Sequence, residues 1–152
     1  MKKAKKRVLA VASGGGHWEQ LMLLRGAFER HEICYSTTHP AMATQHGIKD
    51  AAILPDCNQN TPLAALWCLL KSARLVLRYR PDVVISTGAA PGFFCVMWGR
   101  LVGAKTLWID SIANGDELSM CGKLSKRVAH ECLTQWEHLS GDSHPKFRGA
   151  IL

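Results

Sequence analysis

Much of the usual apparatus of phosphate and sugar chemistry is missing from this sequence. It contains no Asp-x-Asp pair, so a metal-bridged diphosphate of the kind many sugar transferases use has no ligands of the usual spacing. No Gly-Lys-Ser/Thr follows its glycines, which excludes a Walker loop. No Gly-x-Ser-x-Gly elbow is present, which removes the hydrolase nucleophile. Six cysteines, at 34, 57, 68, 95, 121 and 132, form no Cys-x-x-Cys pair, and the seven histidines show no metal-ligand spacing. That pattern argues against a structural zinc and for buried free thiols in a reducing compartment. No apolar run approaches the ~20 residues of a membrane span. The longest, Leu63 to Leu70, is stopped by Lys71. The run Val8–Ala12 is too short for the core of a signal peptide, and no cleavage site follows it. A cytoplasmic location is expected.

What is present belongs to a folded chain. Apolar residues make up 47% and charged residues 20% of its 152 residues, enough to bury roughly 70% of the unfolded surface in one domain. The formal charge is +7. Residues 1–7 form a basic tail ahead of one domain over 8–152. The tail suits an anionic surface or serves simply as a solubilising extension. Nucleic acid is the weaker partner, because no aromatic-basic interleaving or known binding motif appears.

The apolar run Val8–Ala12 leads into Ser13-Gly14-Gly15-Gly16-His17 and then a helical pattern in which Trp18, Leu21, Leu24 and Phe28 recur. Strand, glycine turn and helix in that order let backbone N–H groups face an anion. Further along, Ile33–Tyr35 reads as a strand, Pro40–Gly47 as a short helix and Ala51–Leu54 as a weak strand. Thr61-Pro62 has the form of an N-cap opening a helix that runs to about Arg80, before Pro81. Asp82–Ser86 reads as a buried strand, Gly92–Val102 as a helix, Thr106–Ile109 as a strand, Ser119–Ala129 as a helix and Cys132–Thr134 as a last strand. Beyond Ser140 the chain reads as irregular. Alternation of this kind predicts a Rossmann-like, mostly parallel α/β sheet with helices on both faces. Its ligands would sit beyond the carboxyl ends of the strands. Three loops fall there: Ser13–His17, Ser86–Gly92 and Asp110–Gly115.

The glycine turn is a poor dinucleotide fingerprint. Glu19 stands where the third glycine would be, and Tyr35-Ser36-Thr37 stands where a ribose-binding acid is expected. No cofactor is called for. There remains a metal-free site in which helix ends, glycine turns and His17 supply the electrostatics.

Four further segments carry a resemblance. Gly15-Gly16-His17 after a strand resembles the opening of PssD-type exopolysaccharide glycosyltransferase subunits. These are homologous to the eukaryotic acceptor-side subunit of the two-chain N-acetylglucosaminyltransferase of lipid-linked oligosaccharide assembly. Pro81–Gly88, Asp110-Ser111-Ile112-Ala113, Leu118–Leu124 and Gln135-Trp136-Glu137-His138-Leu139 resemble that family's PD-(apolar)-G, E-S-x-A, L-S-x-x-G-K-L and Q-W-x-x-L segments, in the same order. Two positions depart: Asp110 replaces a glutamate and Asn114 an arginine. The family in turn resembles the N-terminal half of MurG-type, two-domain GT-B transferases.

The resemblance implies an acceptor-binding subunit of an inverting, metal-independent glycosyltransferase. The donor would be a UDP-sugar held mainly by a second, donor-binding polypeptide, and the acceptor a polyprenyl-diphosphate-linked glycan at the anionic inner face of the cytoplasmic membrane. His17 and Asp110 are then the candidate catalytic residues. His17 is expected to act as a neutral base or to orient the diphosphate, since the positive end of a helix disfavours an imidazolium. Asp110 is expected to act as base, as orienter of His17, or only as a helix cap. Ser13, Gly14, Gly15, Gly16, Thr87, Gly88, Gly92, Ser111 and Lys123 are candidate substrate contacts. Trp136, Ile151 and Leu152 are a candidate partner interface. The helix Leu63–Arg80, with cations clustered toward one end, reads as core packing or as a helix lying on anionic lipid. Two other functions stand beside this reading: a non-catalytic membrane-recruitment module and a stand-alone nucleotide-binding enzyme.

Overall fold

The computed structural model describes residues 4–152. The first three residues of the basic tail therefore lie outside the described residues.

Among the described residues seven strands form one sheet, parallel throughout, in the order β3-β2-β1-β4-β5-β6-β7. The strands are β1 (Arg7–Ala12), β2 (Glu32–Thr37), β3 (Ala52–Ile53), β4 (Val83–Gly88), β5 (Lys105–Ile109), β6 (Glu131–Thr134) and β7 (Lys146–Phe147). The helices are α1 (Gly16–Leu23), α2 (Pro40–Gln45), α3 (Pro62–Tyr79), α4 (Ala89–Leu101) and α5 (Met120–Val128). Strand alternation splits the core in two. Leu9, Val11, Val84, Trp108 and Cys132 pack with Cys68 and Val76 of α3 and Cys95 and Val96 of α4. Val8, Ala10, Ala12 and Ile85 pack with Trp18 and Leu21 of α1 and Ala43 of α2. Four of the six free cysteines are buried and two half-buried. Burial pushes the Cys68 and Cys132 thiols up to about 12, which leaves them as inert packing groups.

Several elements differ from the sequence expectation, each for a local reason. The periodicity through Phe28 predicts a continuous helix, but α1 ends at Leu23. A 3-10 turn over Arg25–Ala27 carries the chain past Gly26 and still buries Phe28. Helix α4 starts at Ala89, three residues before Gly92, because Pro91 in the first turn needs no N–H partner. Thr61 does not cap α3 with its side chain. Its hydroxyl instead donates to the Asn58 carbonyl (3.1 Å) and closes the preceding turn. The region beyond Ser140 is not wholly irregular, since Lys146-Phe147 pairs with β6. Two residues carry too little alternation to announce a strand.

Strand order reverses between β1 and β4, which places the crevice for a ligand at their carboxyl ends. The pairing is irregular there. Val11 faces Ser86 and Ala12 faces Gly88, so Thr87 is an extra residue in β4. A bulge of this kind re-aims the unpaired residue, and Thr87 turns toward α1.

Candidate active site at the β1–β4 crevice

The glycine turn links β1 to α1 with Gly15 at φ 75°, in the left-handed region that a side chain rarely adopts. Gly15 and Gly16 are exposed, and a Cβ built on either would meet nothing within 4 Å. The N–H groups of the first helical turn have no acceptor within the helix. Gly14 is tighter, with the His39 ring lying where its Cβ would be and its N–H donating to Thr38 Oγ1 (3.0 Å). Ser13 is buried, with only a long contact of 3.4 Å to the Gly14 carbonyl.

His17 is half-buried and clasped by Thr87. Its Nδ1 lies 3.1 Å from the Thr87 carbonyl, and the Thr87 hydroxyl donates to the His17 carbonyl at 2.6 Å. A carbonyl only accepts, so the neutral ring carries its proton on Nδ1 and leaves the Nε2 lone pair free. Among the described residues no hydrogen bond engages Nε2. Gly88 makes this possible. A Cβ there would sit 2.1 Å from His17 Nδ1, and its φ of 149° already disfavours a side chain. Ala89 follows at φ 68°, a left-handed conformation in a non-glycine residue that marks stored backbone strain at this turn. The Gly88→Ala variant should therefore displace His17. It is expected to melt several degrees lower, checked by thermal unfolding beside the wild type.

Asp110 makes no hydrogen bond to His17 among the described residues. It is 1% exposed, and its carboxylate accepts from Trp108 Nε1 (3.1 Å), Asn114 Nδ2 (3.1 Å), the Ser119 N–H (2.9 Å) and the Ser119 hydroxyl (2.6 Å). The acceptor capacity of the group is spent on the loop between β5 and α5, and His17 is held by Thr87 instead. Asp110 thus acts through Ser119, which caps α5 by accepting from the Gly122 N–H (2.9 Å). The two departures from the family pattern, Asp110 and Asn114, are hydrogen-bonded to each other.

The other expected contacts divide. Thr87 and Gly88 stand at His17. Gly92 is buried, with Ser86 Oγ 1.9 Å from where its Cβ would be, so it serves packing. Ser111 is buried and accepts from Gln20 Nε2 (3.0 Å). Lys123 is exposed and bonded to Glu117, whose carboxyl that hydrogen bond holds below the usual carboxylate range. Trp136 is partly exposed over Gly115, its Nε1 donating to the Ile112 carbonyl (2.8 Å). Ile151 is half-buried and Leu152 exposed. Gln20 and Thr38 were not among the expected residues. Gln20 is a polar residue on the inward, apolar side of α1, which is the signal that singles it out; Thr38 carries none. A cavity of about 700 Å³ opens elsewhere, at the amino ends of β1, β4 and β5, lined by Lys6, Arg7, Arg80, Asp82 and Lys105 among others. It shares no residue with the three loops.

A parallel sheet with this order, these two helix faces and a site at the β1–β4 crevice is the N-terminal-type domain of a GT-B fold. Among solved structures it is similar to MurG of Acinetobacter baumannii, with a TM-score of 0.75 at 15% identity over 95% of this chain and 45% of that one. It is similar to a UDP-N-acetylglucosamine 2-epimerase from Rickettsia bellii, at 0.73 and 12% over 97% and 46%. A glycosyltransferase from Rickettsia africae gives 0.62 and 14% over 86% and 37%. The chain thus spans less than half the length of these proteins. No curated protein matches the chain in sequence. The family model described as oligosaccharide biosynthesis protein Alg14 like matches residues 28–151, and the chain belongs to that family. The description of that family is of oligosaccharide biosynthesis. The match begins at Phe28, so the glycine turn and His17 precede it.

Proposed function

We propose that this chain is the acceptor-binding half of a two-chain, inverting, metal-independent glycosyltransferase that moves a sugar from a UDP-sugar to a polyprenyl-diphosphate-linked glycan. The observation that carries the reading is His17. It presents a free Nε2 beside an open glycine turn at the point where strand order reverses. Gly14 and Gly15 spend their amides on Thr38 Oγ1 and Met42 Sδ (3.0 Å each), so the amides at Gly16 and His17, which open α1, are the ones that suit the acceptor's diphosphate. Nε2 would take the proton of the acceptor hydroxyl as its oxygen bonds to the sugar carbon and UDP leaves with the electron pair of the broken bond. Asp110 would hold the neighbouring loop rather than the proton.

A second polypeptide is supported by membership of the Alg14-like family, whose resemblance is to one side of a two-domain transferase. One sheet face is also incompletely covered. Val83, Ile85, Leu107 and Ile109 line an apolar cavity of about 290 Å³ beside Leu24 and Phe28. The partner would bind the UDP-sugar and meet this chain near Trp136, Ile151 and Leu152. The test is reconstitution. This chain, a candidate donor-binding chain, labelled UDP-sugar and a polyprenyl-diphosphate acceptor should give transfer, and either chain alone should give none. Turnover or nucleotide binding by this chain alone would favour the stand-alone enzyme.

The anionic inner membrane surface fits α3. Leu63 (83% exposed), Leu66, Trp67 (54% exposed), Leu70 and Leu77 form one exposed stripe, flanked by Lys71, Arg74 and Arg78. Lys71 Nζ lies 4.6 Å from the Trp67 ring centroid. Among the described residues no helix is long and apolar enough to cross a membrane; the stripe on α3 suits attachment along the surface. Leu66→Asp with Leu70→Asp should lower co-sedimentation with vesicles containing anionic lipid by about tenfold or more. The fold should survive, because both side chains are exposed. Unchanged sedimentation would return α3 to a solvated face.

A further inference from the structure

Two buried glutamines tie four segments of the chain together, and the proposed chemistry uses neither. Gln135 (4% exposed) follows β6, and Gln20 (8% exposed) lies one turn after His17 on α1. Gln135 Nε2 donates to Gln20 Oε1 (2.5 Å) and to the Asp110 carbonyl (3.0 Å), while its Oε1 accepts from the Ile151 N–H (2.7 Å). Gln20 Nε2 donates to Ser111 Oγ (3.0 Å), and its Oε1 also accepts from the Ile112 N–H (3.3 Å). The orientation of the Gln135 amide follows from its partners: a backbone N–H only donates and a carbonyl only accepts.

Buried amides cost free energy unless hydrogen-bonded, and an apolar pair would fill the space without that cost. What the amides add is a directional link. The first turns of α1 are held on one side by Thr87 and on the other, through Gln20, by Gln135. Gln135 is also the attachment point of the segment bearing Ile151. We infer that Gln135 is a positioning residue that couples the segment at Ile151 to His17 through Gln20. This rests on reading His17 as the site residue. A partner chain seated on Trp136 and the Ile151 segment would thereby bear on the orientation of His17.

The experiment uses the whole chain and needs no transfer reaction. The Cε1–Hε1 resonances of carbon-13-labelled histidines are recorded for wild type, Ile151→Pro, Ile151→Ala, Gln135→Leu and the double variant Ile151→Pro/Gln135→Leu. Proline removes the one N–H that Gln135 accepts, and alanine keeps it. Ile151→Pro and Gln135→Leu should shift the His17 resonance, and the double variant should shift it no further than the larger single change. Ile151→Ala should leave it in place, as should all variants for His130, which is held by Thr106 at the amino end of β6, the end away from Gln135. An unmoved His17 signal in folded Ile151→Pro overturns the coupling, as does an equal shift of His130. If Gln135→Leu fails to fold, Ile151→Pro against Ile151→Ala decides alone. In a reconstituted enzyme Gln135→Leu should lower kcat about ten- to a hundredfold with the donor KM unchanged. Absence of transfer in the wild-type complex would sink the proposed function and leave the resonance test intact.

Discussion

Transfer by the His17→Ala variant, assayed with its partner chain, should fall by about 10²- to 10⁴-fold, the range that a positioned base supplies. The loss should come in kcat. The donor KM should stay near wild type, because the nucleotide belongs to the other chain in this reading. Folding should survive, since the ring is half-buried and its Nδ1 makes one hydrogen bond, to Thr87. The alanine leaves the His17 carbonyl in place to accept from the Thr87 hydroxyl, so the α1–β4 junction keeps one of its two ties. The companion variant Thr87→Val removes that hydroxyl but not the Thr87 carbonyl, and so keeps the tautomer of His17. It should cost less than His17→Ala. If both variants lose the same large factor, the clasp rather than the free Nε2 is what matters. Near-wild-type rates in His17→Ala would reduce His17 to a packing residue and favour the membrane-recruitment module.

The architecture was legible because it rests on periodicity and punctuation. Val8–Ala12 and Val83–Ile85 are continuous apolar runs of the kind a parallel sheet buries on both faces, and glycines and prolines mark where each ends. The three loops at the carboxyl edge followed from that alternation alone. Boundaries were less legible where tertiary packing overrides a local pattern. Phe28 kept its burial but lost its helix, and Thr61 spent its hydroxyl on the preceding turn instead of the helix. Within the candidate site, residue type pointed to His17, yet the feature that orients it could not be read. Thr87 reaches His17 only because a bulge in β4 leaves it unpaired, and a bulge is a relation between two strands far apart in the chain. The same holds for Gln20, whose partners Ser111, Ile112 and Gln135 are more than 90 positions away. Asp110 illustrates the converse. A carboxylate at the end of a strand beside a glycine turn suggests chemistry, and only its four donors show that it is occupied.

Those four donors make Asp110→Ala the larger test of stability. Without the carboxylate the Trp108 indole N–H is left in the core with no acceptor, a loss worth about 1–3 kcal/mol. Ser119 loses the anchor that holds it over the first turn of α5, adding about 1 kcal/mol on the scale of a helix cap. A total near 3 kcal/mol corresponds to a melting temperature roughly 6–12 °C lower for a chain of this size. Asp110→Asn keeps one acceptor oxygen and should fall between wild type and alanine. Gly122→Ala approaches the same contact from the other side, since its Cβ would stand 2.5 Å from Asp110 Oδ1. The double variant Asp110→Ala/Gly122→Ala should be less destabilised than the sum of its parts, because the smaller side chain vacates the space the new methyl needs. Activity separates the latch from the base. A catalytic carboxylate predicts that Asp110→Asn abolishes transfer at an unchanged melting temperature. A latch predicts a lower melting temperature with measurable transfer remaining below it, and the hydrogen bonds around Asp110 favour the latch.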